Sequence, residues 1–397
     1  MKKKCKVCNN EFIDNIFLGK HPCADTFIKS KVQAISLKKY PLVVGFCNCS
    51  HLTALYPVPP YERYQKFEYS YTSSNSIVSR SHFRDIALKI SKKFKLDSNS
   101  LVVEAGSNDG TFLLEIKNIS KSKVIGVDPS KNINELARKK KIFTICDYFN
   151  LKTSKKIISK FGYADIFYGA NVFNHLDDNI NFLKSVLHLL KNDGILILEV
   201  PDLRSLIDTV GFDTIYHEHR HYYSENSLYK ILLRENFFIF KIEKIKYMSG
   251  SIRVYATKRR LIASKLNLDF VSIKEFNKFK IRVNIVINAI KHFVDKNIKN
   301  NNVVYGIGAA TKGNTLLNCC NFNNSKIKYI LETSKYKIGK FTPGSAIKIV
   351  NEKKYKKKIK AVLILPWNIT SYLKKRLFKN KKIIYISIQK VVRQLFK

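Results

Sequence analysis

The stretch LVVEAGSNDGTFLLEI, residues 101–116, predicts the fold class. An apolar strand, a glycine loop and an amphipathic helix follow one another directly, a pattern typical of a ligand-binding α/β unit. Gly106 and Gly110 permit tight backbone turns against a ligand, because glycine adopts positive φ angles at little steric cost. The loop lacks the G-x-G-x-x-G spacing of a dinucleotide site, which disfavours a cofactor that contains a pyrophosphate.

The residues that follow continue the alternation of strand and helix. KVIGVDPS predicts a second strand that ends in Asp128, where a doubly wound sheet binds ribose hydroxyls. KIFTICDYF adds Asp147, ADIFYGANVFNHL adds Asn171 and His175, and LKNDGILILEVP adds another strand. We therefore predict a parallel α/β sheet with helices on both faces. Acidic residues after the strands, without a phosphate-binding motif, suit a cofactor that has a ribose and no phosphate, such as S-adenosylmethionine. The alternative is another kind of nucleotide-binding sheet.

The carboxy-terminal part repeats this organisation on a smaller scale. Residues 262–300 have apolar positions at three- and four-residue spacing, which predicts a helix. NNVVYGIGAATKGNTLLN then predicts a strand, a glycine loop and a helix, and IKYILETS and KAVLILPW predict two more strands. We expect a second Rossmann-like α/β domain. The charge run NEKKYKKKIKA predicts a solvated helix face.

Eight cysteines are present, and five of them precede residue 50. CKVC supplies Cys5 and Cys8, and CNC supplies Cys47 and Cys49. Two cysteine pairs on tight turns are typical of a structural zinc site. The C-x-C pair is one residue shorter than usual, so Cys23, His21 and His51 are possible substitutes, and reduced cysteines without metal are the alternative. Cys146, Cys319 and Cys320 stand in apolar surroundings and are predicted to be buried thiols.

Composition limits the remaining choices. The chain has 397 residues, enough for two or three domains, and 45% of them are hydrophobic. The net charge of +42 suggests nucleic-acid binding as one interpretation. The lysines are scattered along the whole chain, however, so we favour compositional bias and an anionic small substrate. No apolar run approaches the ~20 residues of a membrane span. The opening MKKKCKVCNNEF lacks the apolar core of a secretory signal, and we expect a cytoplasmic protein.

The segment YHEHRHYYS, residues 216–224, concentrates groups that can move or steer a proton. It contains three histidines, one glutamate and three tyrosines. Histidine titrates near neutral pH, so an acid/base centre is one interpretation. A metal site and an aromatic surface loop are the others, and Tyr222 and Tyr223 are predicted to be packing residues.

Taken in order, the motifs are similar to those of the sugar C-methyltransferases. The resemblance is carried by CKVC, EAGSNDGTFLLE, GVDPS, ANVFNHL, EVP, FDTIYHEHRHYYS, GSIRVY and GIGAATKGNTLLN. It implies a class I methyltransferase Rossmann-like sheet over residues 61–260. A small zinc-binding domain at residues 1–60 would precede this sheet, and a second Rossmann-like α/β domain at residues 261–397 would follow it. Two departures are the C-x-C pair and Ser249, which replaces a glycine in MSGSIR.

The resemblance also implies roles for individual residues. The catalytic group would be His219 as general base, with Glu218, Tyr216, His175 and Tyr71 around it. The cofactor group would be Glu104, Gly106, Asn108, Asp109, Gly110, Asp128, Pro129, Asp147 and Asn171. His217 and His221 have no implied role and are as readily solvated loop residues. Lys312 and Gly313 are candidates to face a nucleotide diphosphate, and the alternative is a packing domain without a ligand.

The implied reaction is methylation of a ring carbon of a nucleotide-linked keto-deoxysugar by S-adenosylmethionine, for a surface polysaccharide or a secondary metabolite. Removal of the proton beside the carbonyl by a base gives an enolate that attacks the methyl group. The alternatives are a methyltransferase for an oxygen or nitrogen acceptor and, in another class, a basic nucleic-acid-binding protein. The sequence makes no prediction about oligomeric state.

Overall fold

The computed structural model describes residues 4–64, 66, 71–260, 266–355, 359–378 and 382–396. These residues form three β-sheets of four, seven and five strands. Among their helices, none combines the length and the apolar character that a bilayer crossing requires.

The first sheet is antiparallel and belongs mostly to the amino-terminal domain. Its local elements are β1 (Asp14–His21), α1 (Lys31–Ser36), β2 (Tyr40–Cys47), β3 (His51–Ala54) and α2 (Pro60–Tyr64). The turn between β2 and β3 carries Cys49, and its backbone closes through a bond from Ser50 N–H to the carbonyl of Cys47. Ser50 has a φ of 62°, which makes this turn tight enough for two cysteines to share one side.

The second sheet is the large α/β sheet that the sequence predicts, although it is mixed rather than wholly parallel. Its elements are α3 (Ile77–Lys93), β4 (Leu101–Ala105), α4 (Thr111–Ser120), β5 (Lys123–Val127), α5 (Lys131–Lys139), β6 (Thr144–Ile145), α6 (Leu151–Phe161), β7 (Ala164–Ala170), α7 (Asn179–Leu189), β8 (Leu190–Pro201), α8 (Leu203–Asp208), β9 (His221–Tyr223), α9 (Glu225–Arg234), β10 (Phe238–Ile245) and β11 (Ser251–Thr257). All except β9 among these strands enter it, in the order β10-β11-β8-β7-β4-β5-β6.

Burial explains why the central strands of this sheet are continuous apolar runs. Every residue of β4 is buried, because helices cover both faces of the parallel part. The last two strands differ, since β11 runs antiparallel to both β8 and β10. This arrangement is the class I methyltransferase fold predicted above.

Strand β9 joins the amino-terminal sheet instead of the sheet of its own sequence neighbours. It pairs antiparallel with β3, with His51 opposite Tyr223, Leu52 opposite Tyr222 and Thr53 opposite His221. The strand begins two residues after His219. The pairing therefore attaches the segment YHEHRHYYS to the cysteine-bearing domain.

The third sheet is parallel, and its order is β14-β13-β12-β15-β16. Its elements are α10 (Ile273–Lys299), β12 (Val304–Ile307), α11 (Thr311–Cys319), β13 (Ile330–Glu332), β14 (Ile349–Asn351), β15 (Ala361–Ile364), α12 (Thr370–Leu377), β16 (Ile384–Ile386) and α13 (Ile388–Leu395). Helix α10 starts later than residue 262, because a capping box of Ser272 and Glu275 begins it. Of the helix predicted there, residues 262–265 lie outside the described residues.

The prediction of a solvated helix for NEKKYKKKIKA is wrong where the structure describes it. Glu352–Lys354 form one 3-10 turn directly after β14, and residues 356–358 lie outside the described part. Glu352 is buried and pairs with Arg376 of α12. A tertiary ion pair therefore holds one residue of the charge run in the interior instead of on a solvated helix face.

The amino-terminal sheet packs against both neighbouring domains. Val44, Phe46 and Leu52 share a hydrophobic cluster with the long helix α10, where Phe46 stacks on Phe276 with ring centres 4.7 Å apart. Cys5 and Cys47 belong to the core cluster of the seven-stranded sheet. The small domain is thus wedged between the two α/β domains.

A buried ion-pair network braces the seven-stranded sheet. Glu199 of β8 has no exposed surface and binds Arg253 Nε at 2.6 Å, the Tyr168 hydroxyl at 2.8 Å and His82 Nε2 at 2.8 Å. Burial opposes ionisation, but His82, Arg253 and Tyr168 together lower the pKa of Glu199.

We predict that Arg253→Met destabilises the protein by about 3–5 kcal/mol, because a buried carboxylate loses its charged partner. Lys326→Met is the matched control, since its ion pair with Asp295 is nearly half exposed on both sides and contributes at most about 1 kcal/mol. The free energy of unfolding in urea measures both. Equal losses in the two variants would contradict the assignment.

Candidate active site

The loop between β4 and α4 forms a cradle in left-handed backbone conformation. Gly106, Asn108 and Gly110 have φ angles of 63°, 49° and 71°. A Cβ at Gly106 would come within 3.2 Å of Val172, so a larger residue would fill the space beside the loop. Asp128 closes the cradle, because its two oxygens accept Asn108 N–H at 3.0 Å and Ser130 N–H at 2.9 Å.

A buried carboxyl at the end of β4 lacks a partner within the described residues. Glu104 is buried, and its Oε2 makes no hydrogen bond there. Burial raises the pKa of Glu104 well above its usual value, and the nearby Asp109 and Asp128 raise it further. A cationic ligand group would satisfy this site, as the amino group of S-adenosylmethionine would.

The remaining predicted cofactor residues differ in how many of their polar atoms already bind other groups of the protein. Asp109 is already occupied, since it binds the Thr111 hydroxyl at 2.6 Å, Ser74 N–H at 3.2 Å and Lys140 Nζ at 3.0 Å. Its contacts make it a brace of the loop. Asp147 Oδ1 accepts Tyr148 N–H, in the loop after β6.

Two further predicted residues lie on the same edge of the sheet. Asn171 follows β7 with a φ of 54°, and its N–H donates to the carbonyl of Glu199. Pro129 follows Asp128, and its carbonyl lies 3.8 Å from Cys146 Sγ. Cys146 is exposed, so its prediction as a buried thiol is wrong, because it follows the edge strand β6. Cys320 is buried and Cys319 is half-buried.

His219 is buried and held in one tautomer. Its Nδ1–H donates to the carbonyl of Thr214 at 2.9 Å, so Nε2 carries the lone pair and lies 2.7 Å from the Tyr216 hydroxyl. Burial lowers the pKa of His219 to about 4, against the opposing effect of the Thr214 carbonyl. The ring is therefore neutral at physiological pH, with a basic nitrogen beside a phenol.

His175 stands against this base. The two imidazole rings meet edge to face, with centres 4.8 Å apart. His175 Nδ1 lies 2.6 Å from the hydroxyl of Tyr64, which also contacts the carbonyl of Glu218. Burial lowers the pKa of His175 well below its usual value, and His219 lowers it further. The site thus brings His175, Tyr216 and His219 together.

Glu218 faces away from its neighbour His219. Its carboxylate accepts Asp25 N–H at 2.9 Å and Ala24 N–H at 3.2 Å, both from the amino-terminal domain. Burial raises the pKa of Glu218 to about 7, and these N–H donors work against that rise. The contacts tie Glu218 to the backbone of the amino-terminal domain.

The interpretation of His217 and His221 as solvated loop residues is wrong, because both are buried. His217 Nε2 donates to the carbonyl of His21. His221 stacks on His51, as does Tyr223. Tyr222 and Tyr223 have no exposed surface, which confirms that they are packing residues.

Tyr71 lies next to the cofactor loop. Its carbonyl accepts from Asn108 Nδ2 at 3.2 Å, and Ser73 N–H donates to Asn108 Oδ1 at 2.9 Å. The Tyr71 hydroxyl is 3.4 Å from that of Tyr247, whose ring stacks on His82 at 3.8 Å. The aromatic side chain is therefore tied to the same network that holds Glu199.

Several residues of the site were not predicted from the sequence. Tyr64 contacts His175, and Arg63 donates to the carbonyl of His175 and binds Asp177. The only sequence signal was the polar cluster YERY after a proline pair. Ala24 and Asp25 act through backbone N–H groups, which no residue pattern reveals.

The carboxy-terminal domain contributes Lys312 from the start of α11. Its Nζ donates to Ser249 Oγ at 3.0 Å and lies 3.9 Å from the ring centre of Trp367. Trp367 Nε1 in turn donates to buried Asp213, which precedes the segment YHEHRHYYS. Burial lowers the pKa of Lys312 to about 8, although Asp213 opposes the change. Gly313 is buried against Leu365.

The four predicted metal ligands lie together. The sulfur atoms of Cys5, Cys8, Cys47 and Cys49 are all within 4.8 Å of one another, with Cys8 to Cys47 at 3.3 Å and Cys5 to Cys49 at 3.7 Å. A tetrahedral zinc–thiolate site has sulfur atoms about 3.8 Å apart. The C-x-C pair therefore reaches the geometry of a four-sulfur site, and Cys23 and His21 are not in this group.

Comparisons with known proteins identify both α/β domains. Residues 79–241 match the model of a methyltransferase domain, and residues 247–384 match that of a C-methyltransferase C-terminal domain. The C-methyltransferase NovU of Streptomyces niveus is 28% identical over 359 residues, which cover 87% of this chain and 85% of that protein.

Solved structures resemble part of the chain. One is the magnesium protoporphyrin IX methyltransferase ChlM from Synechocystis PCC 6803 with bound S-adenosylmethionine, 15% identical, with coverage of 45% of this chain and 79% of that one and a TM-score of 0.35. Another is an S-adenosylmethionine-dependent methyltransferase from Clostridium acetobutylicum ATCC 824, 15% identical, with coverage of 45% and 91% and a TM-score of 0.37.

The two domain matches and the relative that spans most of the chain confirm the C-methyltransferase resemblance carried by the motifs. The chain is an S-adenosylmethionine-dependent methyltransferase with a C-methyltransferase C-terminal domain.

Proposed function

We propose that this enzyme methylates a ring carbon of a nucleotide-linked keto-deoxysugar through an enolate, in the cytoplasm. The observation that carries the proposal is the state of His219: a neutral, buried imidazole whose unprotonated Nε2 accepts a hydrogen bond of 2.7 Å from the Tyr216 hydroxyl. Carbon methylation needs such a base, whereas an alcohol or amine acceptor already carries a nucleophilic lone pair. The relative NovU, a C-methyltransferase, supports the same reaction type.

The residues of the site divide the work between them. His219 Nε2 takes the proton from the carbon beside the carbonyl, and the electron pair moves towards the carbonyl oxygen. The Tyr216 hydroxyl is placed to donate to the substrate once Nε2 is protonated. His175 packs against His219 with the two rings nearly perpendicular and limits how the His219 ring can tilt. Tyr71 contributes an aromatic face between the cofactor loop and Tyr247.

S-adenosylmethionine, when bound, supplies an electrophilic methyl group. The residues present fit this group: Glu104 offers an unsatisfied carboxyl for the amino group, and Asp128 stands where ribose hydroxyls bind. Gly106 and Gly110 place no side chain at the two ends of the loop. Asn171, Pro129 and Asp147 occupy the same edge of the sheet, after β7, β5 and β6.

We predict that Asp128→Ala weakens binding of the product S-adenosylhomocysteine by about 1.5–3 kcal/mol, the contribution of hydrogen bonds to a charged group. Asp193→Ala, at an exposed position in the same domain, is the control and should bind normally. Calorimetry measures both affinities. Unchanged affinity in a folded Asp128→Ala protein would rule out the ribose assignment.

We predict that His219→Asn lowers the methylation rate about 10²–10⁴-fold, because asparagine cannot accept the proton. Exchange of the ring proton with deuterated solvent should be lost in parallel, while affinity for S-adenosylhomocysteine stays near normal. His188→Asn, which removes an exposed imidazole of α7, controls for loss of a histidine.

The pH dependence gives an independent check on the same residue. Since burial lowers the pKa of His219 to about 4, its basic form persists below pH 6.5 and is lost only as the pH falls towards 4. The acid limb of kcat/KM should therefore lie well below the ordinary histidine value. Full activity of His219→Asn together with an inactive His175→Asn would assign the base to His175.

We also propose that the four-cysteine cluster binds a structural zinc ion. Four thiolates leave no open coordination position, so the metal would hold structure rather than perform chemistry. A hydrogen bond from Cys49 lowers the pKa of the Cys5 thiol, and His51, 3.2 Å from Cys5 Sγ, adds to this effect. Metal bound here would fix the turn that leads into β3, the partner of β9.

We predict about one zinc ion per purified chain, lost in Cys49→Ser and retained in Cys23→Ser, whose thiol is buried outside the cluster. Loss of metal should reduce hydrogen-exchange protection of the β3 and β9 amides and leave S-adenosylhomocysteine affinity intact. Metal content and exchange rates measure these outcomes. Zinc loss in Cys23→Ser but not in Cys49→Ser would show that Cys23, and not Cys49, is a metal ligand.

A further inference from the structure

Two buried histidines that the proposed reaction does not use lie beside the cysteine cluster. His51 begins β3 and His221 begins β9, and neither exposes more than 1% of its surface. Their rings stack with centres 5.2 Å apart, and the ring of Tyr223 packs on His51 at 4.9 Å. These contacts fix the plane of the His51 ring, so its two nitrogens point in set directions.

The register of the strands brings these side chains to one face of the amino-terminal sheet. His51 lies opposite Tyr223, and Thr53 lies opposite His221. Residues two apart on a strand share a face, so all four side chains point the same way. The pairing of β9 with β3 therefore builds a polar group next to the cysteines from two distant parts of the chain.

Hydrogen bonds lead from this group to the backbone next to His219. His221 Nδ1 lies 2.9 Å from the hydroxyl of Thr53, and this hydroxyl donates to the carbonyl of Arg220 at 3.0 Å. A carbonyl oxygen can only accept, so the single proton of the Thr53 hydroxyl is committed to Arg220. The Thr53 oxygen must therefore accept from His221, which places the ring proton of His221 on Nδ1. His221 Nε2 has no hydrogen-bond partner among the described residues, as suits a nitrogen without a proton.

The direction of this bond determines the next two. His51 Nε2 lies 3.2 Å from His221 Nδ1 and, because it faces a donor, must be the unprotonated nitrogen. The ring proton of His51 is then on Nδ1, which lies 3.2 Å from Cys5 Sγ. His51 therefore donates to the sulfur of Cys5, and Val7 N–H donates to the same sulfur at 3.4 Å.

A buried four-thiolate metal site needs such donors. Four thiolates outweigh the charge of a zinc ion, and Cys5, Cys47 and Cys49 are buried in a hydrophobic cluster. An excess of negative charge is costly to bury unless donors bind to it. Residues behind the ligands of a metal site typically change metal affinity about 10–100-fold, because they orient the ligands and tune their charge.

We propose that His51 and His221 form an outer shell of the metal site, which rests on the proposed zinc ion. His51 is the positioning residue: its Nδ1–H holds Cys5 in the orientation for metal binding and offsets negative charge on the sulfur. His221 keeps the proton of His51 on Nδ1. The same series of bonds joins the metal site to Arg220, next to the proposed base.

Competition with a chromophoric zinc chelator measures the role of His51. His51→Phe keeps an aromatic ring in the stack but has no N–H, and should weaken zinc binding about 10–100-fold. His51→Asn should bind zinc nearly as the wild type does, because its amide places an N–H donor near the position of Nδ1. His292→Phe, which removes an exposed histidine of α10, is the control and should change nothing.

Cobalt(II) in place of zinc distinguishes the hydrogen bond from packing. An N–H donor lowers the energy of the sulfur lone pairs, so its removal in His51→Phe should shift the sulfur-to-cobalt charge-transfer band to longer wavelength. His51→Asn should keep the wild-type band. An unshifted band in His51→Phe, or an equal loss of zinc affinity in His51→Phe and His51→Asn, would overturn the role of the hydrogen bond.

The outcomes also separate the outer shell from the zinc ion, and none of these measurements depends on the sugar substrate. Wild-type zinc affinity in His51→Phe overturns the outer shell and leaves the four-cysteine site standing. A wild-type protein that binds neither zinc nor cobalt overturns both. Should His51→Phe not fold, His221→Phe and His221→Asn decide the question: phenylalanine should weaken zinc binding severalfold, and asparagine, which keeps a donor near Nδ1, should not.

Discussion

Two backbone N–H groups, those of Ala24 and Asp25, hold the carboxylate of Glu218, and the arrangement of all three domains follows from this contact. The same two residues bind the carboxy-terminal domain, because Thr311 donates to the side chain of Asp25 and Asn314 donates to the carbonyl of Ala24. A carboxylate buried this deeply is tolerated only while donors satisfy it. The contact therefore couples correct assembly of the domains to the position of the next residue, His219.

The surroundings of His219 set both its tautomer and its charge. The hydrogen bond to the carbonyl of Thr214 places the ring proton of His219 on Nδ1 and leaves Nε2 as the basic nitrogen. Burial keeps the ring neutral. Its environment thus avoids a charged partner, which would raise the pKa and protonate the ring.

The sequence predicted the cofactor half of the fold better than the acceptor half. Strand, glycine loop, helix and Asp128 are contiguous signals, because local periodicity and turn chemistry encode them. The cysteine pairs could be recognised by spacing. The destination of β9, the burial of His217 and His221, and the partners of Glu218 could not, since each depends on a pairing between segments far apart in the chain. The prediction that Cys146 is buried was wrong because its apolar sequence neighbours form the edge strand β6, and Cys146 lies exposed directly after that strand.

The membership of β9 in the amino-terminal sheet has a consequence for biosynthesis. The first strands leave the ribosome long before residues 221–223, so their sheet has an open edge at β3 throughout synthesis of the intervening domain. Non-local pairing of this kind is slow and exposes the nascent chain to aggregation. The cysteine turn next to that edge would also be accessible to oxidants for the same interval. Early metal capture by the nascent chain would protect both the thiols and the unpaired strand.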